Sequence, residues 1–61
     1  MDIFKEAAER FEKGMLSILL KHHDDPERCH AEMDDLMCKT LEEFGCCEGV
    51  KIFKQAEKWY S

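Results

Sequence analysis

The chain is predicted to be all-α, a compact three-helix domain with helices over roughly residues 2–21, 26–44 and 48–60, alone or as a homodimer. Apolar residues recur at three- and four-residue spacing in three successive segments. Asp25-Pro26 and Gly45 punctuate the boundaries between those segments. The connections are short, so consecutive helices should pack roughly antiparallel, with a long hairpin crossed by the third helix as the alternative arrangement.

In the first segment Phe4, Ala7, Ala8, Phe11, Met15, Ile18 and Leu19 form one stripe that His22 extends, and Asp2 is a suitable cap. Gly14 interrupts it, either as a weakness of up to ~1 kcal/mol relative to alanine or as a place where another helix comes close. Leu16 and Leu20 point away from the stripe, one turn apart. On so small a domain they are the candidate dimer contact.

The second segment has the clearest boundaries. Asp25 can cap it, Pro26 suits the first helical position, and Gly45 can take the left-handed conformation that ends it. At about 100° per residue, Met33, Met37, Leu41 and Phe44 share one arc, with His30 inside it and Asp34 on its edge. A polar pair aimed at a core must be satisfied, so His30 and Asp34 are read as a structural pair or as a site. Cys46-Cys47-Glu48-Gly49 leads into the third segment. There Gly49, Ile52, Phe53, Ala56, Trp59 and Tyr60 are expected inside and Lys51, Lys54 and Lys58 outside, with Val50 off the inward arc.

With 61 residues the chain is one small domain over residues 1–61. At this size only about 60% of the unfolded surface can be buried, and stability needs help from oligomerisation, a metal or disulfides. Three short helices seldom wall a catalytic pocket, so no enzyme is expected. Met1-Asp2-Ile3-Phe4-Lys5-Glu6 is charged from its second residue, which does not suit a secretory leader. No apolar run approaches the ~20 residues of a membrane span. Cys46 and Cys47 are adjacent, and Cys29 and Cys38 fall on nearly opposite sides of one helix. Reduced thiols in the cytoplasm are therefore expected.

The net charge of -5 belongs to the central helix. Asp24, Asp25, Glu27, Glu32, Asp34, Asp35, Glu42 and Glu43 face only Arg28 and Lys39 there, while both flanking segments are near neutral. That balance disfavours direct nucleic-acid binding, which needs a basic footprint. Glu32, Asp35, Glu42 and Glu43 around Lys39 are either a solvated surface or an acidic patch that steers the protein to a basic partner, such as a nucleic-acid-binding protein.

Other constellations are weaker. His22, His23, Asp24, Asp25, Cys29, His30, Asp34 and Cys38 are ligand types, but His30 and Cys38 are about 12 Å apart along a helix. Zinc would require His22 or His23 to join His30 and Asp34. A histidine-activated thiol does not fit, because Asp34 lies between His30 and Cys38. Cys46-Cys47 at a helix start could act as a redox pair, with packing as the ordinary reading. Trp59 and Tyr60 are expected to cap the core, although both are also hot-spot residue types.

His30-x-x-x-Asp34, Leu36-Met37-Cys38, Leu41, Gly45, Gly49, Phe53 and Lys58-Trp59-Tyr60 together resemble a pattern in very small helical proteins of bacteriophages, prophages and other mobile elements. The match spans residues 28–60. It departs at Cys46, where that pattern often has an aromatic. No site residue transfers with it. What the resemblance implies is an accessory protein that binds a host protein, for example an inhibitor of a defence system such as CRISPR. The leading expectation is thus a non-enzymatic, cytoplasmic protein-interaction module that contacts a host protein through Glu32, Asp35, Glu42 and Glu43, without cofactor. The alternative is a small zinc-binding regulator using His22 or His23, His30 and Asp34.

Overall fold

Two aspartates start the first two helices. In the computed structural model, which describes residues 2–58 with side chains through residue 56, α1 spans Ile3–His22, α2 Pro26–Glu43 and α3 Cys47–Lys58. Asp2 accepts a hydrogen bond from the Lys5 backbone N–H at 3.1 Å, and Asp25 accepts one from Arg28 at 3.2 Å. Each carboxylate satisfies a donor that the helix itself cannot. Pro26 follows Asp25 directly, where its missing N–H costs nothing. The all-α, three-helix class is as the sequence predicts, and no strand occurs among the described residues. The first helix runs one residue further than expected, to His22. Trp59 and Tyr60, expected in the third helix, lie outside the described residues.

α2 ends at a tight corner. The Gly45 N–H donates to the Glu42 carbonyl at 3.0 Å and the Cys46 N–H to the Leu41 carbonyl at 3.0 Å, so two orphan carbonyls are satisfied at once. This reversal puts Gly45 at φ 89°, and no other described residue has a positive φ. Gly45→Ala meets no neighbour within 4 Å, so its cost is conformational alone. It should destabilise the domain by about 1–2 kcal/mol, read as a lowered melting midpoint. An unchanged midpoint would mean the corner had rearranged.

The three helices lie side by side in one layer. α2 is the middle one, packed by α1 on one edge and by α3 on the other, and among the described residues α1 does not touch α3. The Cα atoms occupy 42 × 31 × 7 Å, and the last figure is little more than one helix thick. The radius of gyration is 13.0 Å, against about 10.5 Å for a globule of this length.

Burial follows from that layout. Ala7, Cys29, Cys38 and Val50 are the buried residues, and no large side chain is fully enclosed among the described residues. On the α1–α2 seam Gly14 lets Leu36 approach. A Cβ placed on Gly14 would lie 2.7 Å from Leu36 Cδ2. Gly14 is therefore a close-approach glycine.

Two expectations are corrected here. The arc of Met33, Met37, Leu41 and Phe44 was expected to face inward, yet Met37, Leu41 and Phe44 are exposed and only Met33 is half-buried. Val50 was expected off the inward arc and is instead 3% exposed. Both have one cause. A middle helix in a single layer has neighbours at two opposite edges, so α2 packs the buried Cys29 and the half-buried Leu36 on one side and the buried Cys38 on the other. Its apolar arc is centred near Met37, about a quarter turn from Leu36, and looks out of the layer.

Candidate functional site

Helical rotation sorts each helix into an apolar and a charged side, and packing in one layer brings like sides together. Phe4 and Phe11 of α1 line an open hollow with Thr40 and Phe44 of α2. The Phe4 and Phe44 rings stack there, with centroids 5.4 Å apart and planes 16° off parallel. Phe11 and Thr40 recur in the next hollow, beside Met37 and Leu41. Those two methionine and leucine side chains then form one wall of a third, a cleft of about 250 Å³ whose other wall is Val50 and Phe53 of α3. Shared residues thus join the hollows into one apolar surface across all three helices. Phe4 is 71% exposed, and Leu41, Phe44 and Phe53 are 43–48% exposed.

The reverse side is charged. Arg28, Asp35, Lys39 and Glu42 share a ridge of α2 that is about half a turn from Met37 and Leu41. Lys51 and Lys54 of α3 lie about 100° or more from Phe53 and turn the same way. All six are exposed.

The four acids expected to meet a partner are not equivalent. Glu32 is half-buried on the α1 side, where its Oε2 takes the Arg28 Nε–H at 3.2 Å and lies 2.7 Å from His22 Nε2. The histidine contact is short but misaligned, because His22 Nε2 has no well-directed hydrogen-bond partner. It is an ion pair whenever the imidazole carries its second proton. Glu43 lies 3.8 Å from Arg10 Nη1 across the α1–α2 seam. Asp35 and Glu42 hold no ion pair among the described residues and are exposed.

His30 is exposed and Asp34 half-buried, and no hydrogen bond or ion pair joins them among the described residues. The expectation that they form a polar pair locking the core is corrected. His30 belongs to the α2 arc that looks out of the layer, so it needs no buried partner. Asp34 lines the α2–α3 cleft.

The zinc reading gains nothing from the geometry. Among the described residues no group of three or more His, Cys, Asp or Glu side chains is placed to hold an ion. His22 turns to Glu32, and the His23 ring, protonated at Nδ1, donates to the Leu20 carbonyl at 3.2 Å. Cys46 and Cys47 are exposed. Leu16 and Leu20, 54% and 68% exposed, lie on the outer edge of α1 away from α2.

What sequence reasoning missed is the apolar surface itself. Every arc that forms it was legible, but each was assigned to a core. The signal that could have told otherwise is Leu36, a large apolar residue off the main arc of α2 that packs on Gly14. No described helix is long and apolar enough to cross a membrane. Comparison with known proteins finds no matching family, no matching curated protein and no matching solved structure.

Proposed function

We propose that this chain is a non-enzymatic protein-binding module, an accessory protein of a phage or mobile element that modulates a host protein through the charged ridge of α2. One observation carries the reading. Asp35 and Glu42 are two turns apart on a single exposed ridge of the central helix, and neither spends its charge on an ion pair within the described chain. Lys39 sits between them, so the ridge offers carboxylates at both ends and an ammonium in the middle. Glu32 and Glu43, held by Arg28 and Arg10, are auxiliary to it.

A basic protein surface is the complement of such a ridge, and a nucleic-acid-binding effector presents one. The net charge of -5 favours encounter with that surface and disfavours binding to nucleic acid itself. The clefts are open and almost wholly apolar, which suits a macromolecular surface better than a small substrate.

The test is affinity capture from a bacterial host lysate with the wild-type chain and with Asp35→Lys/Glu42→Lys. Both positions are exposed, so the double change should leave the helical content and melting midpoint nearly unaltered. A host protein retained by wild type and reduced at least tenfold with the variant is the expected result. Equal capture by both, or capture of nothing by either, would refute the acidic ridge as the contact.

A further inference from the structure

We propose that the apolar surface formed by Phe4, Phe11, Met37, Leu41, Phe44 and Phe53 is the interface with a second copy of this chain, two three-helix layers closing face to face into one core. The inference does not depend on the function proposed above, because it concerns the opposite side of the layer.

The exposed area argues for it. The chain presents 5323 Å² to solvent at a mass of 7.2 kDa. A compact monomer of that mass exposes about 4,100 Å². The excess is about 1,200 Å² per chain, so two copies that each covered it would bury about 2,400 Å², which is within the range of obligate homodimers. The shape agrees: a body 7 Å thick in its Cα atoms has no interior of its own, whereas two such layers stacked at helix-packing distance enclose one.

Composition selects the occupant. An isologous dimer places the same patch on both sides, so the patch must tolerate meeting itself. This one does over most of its area, since the six side chains named are uncharged and the carboxylates Asp35 and Glu42 are on the reverse side, while Asp34 stands half-buried in the α2–α3 cleft. The acids of the α2 ridge therefore stay apart when the layers close, despite a net -5 on each chain. A lipid surface is the poorer occupant, because amphipathic helices that lie on membranes carry a lysine- and arginine-rich polar face. The reverse side here mixes both signs, and the whole chain is acidic. The interface also accounts for His30: it shares the α2 arc with Met37 and Leu41 and enters the contact from both copies.

The test is sedimentation equilibrium of the full chain under reducing conditions, from low to high micromolar. The expected mass is twice the 7.2 kDa of one chain. A monomer throughout the range, or a trimer or larger species, overturns the proposal, whether or not the monomer pellets with phosphatidylcholine vesicles. Two variants fix the face. Leu41→Glu should abolish the dimer mass, counted whether the released chain stays helical or unfolds, and Leu41→Met should retain it. Leu20→Glu, on the outer edge of α1 and 68% exposed, should leave the dimer intact. A dimer that survives Leu41→Glu, or one that Leu20→Glu also dissociates, assigns the contact elsewhere and refutes this face.

Discussion

Val50→Asp is expected to release α3 from the layer and to remove most of the stability of the domain. Val50 is the residue through which α3 docks: it is 3% exposed, while Ile52 and Phe53 on the same helix are 69% and 43% exposed. Among the described residues α3 has no second support, because it touches α2 and not α1. The new carboxylate would enter a cleft already lined by Asp34, so burial and like-charge repulsion act together. An unpaired buried charge costs several kcal/mol, against roughly 3–5 kcal/mol for the whole core of so small a domain. Circular dichroism should show the loss of at least the helical signal of the 12 residues of α3. Limited proteolysis should cut first near the Gly45 corner. Val50→Ala is the milder control, with a cost of about 1–2 kcal/mol. A Val50→Asp chain with full helicity and an unchanged midpoint would show that α3 is held some other way.

Gly14→Leu should separate α1 from α2. A bare Cβ at Gly14 already falls 2.7 Å from Leu36 Cδ2. For alanine the remedy is small, since the end of the Leu36 side chain can swing aside, and the helix gains about 1 kcal/mol of propensity. Gly14→Ala should therefore be close to neutral. A leucine cannot be absorbed by one rotamer change, because the seam is also closed by Ala7, the smallest side chain on it. The expected loss is about 1–3 kcal/mol, read from the denaturation midpoints of both variants. If leucine proved as benign as alanine, the close approach at Gly14 would not be a determinant of the packing.

These two positions also show where the sequence was informative and where it was not. Asp2, Asp25, Pro26 and Gly45 act over three or four residues of local backbone, and the helices begin and end where they indicate. The arcs of Phe4 to Leu19 and Met33 to Phe44 were equally legible, being a matter of helical period alone. Their destination was not. Period tells which side of a helix is apolar but not whether a neighbour lies on that side. Here the neighbours of α2 lie a quarter turn away, at Leu36 and at Cys38. The same layout moved His30 from an expected core to an exposed face and placed Val50 of α3 against α2. Glu32 was read with Asp35 and Glu42 as one acidic patch, because spacing along one helix cannot reveal His22 arriving from another.

The proposed dimer gives the apolar arcs, the thin layer and the excess surface one physical explanation: each chain would supply half of a hydrophobic core. A chain that must associate to bury its apolar face gains stability by mass action. The measurement that tests this most directly is the thermal melting midpoint of the wild-type chain as a function of its own concentration. The midpoint should climb steadily as concentration rises from low to high micromolar, and the rise should vanish in Leu41→Glu. A wild-type midpoint that stays constant over that range would contradict it, and would mean that a single layer of three helices is stable with its apolar face open to water.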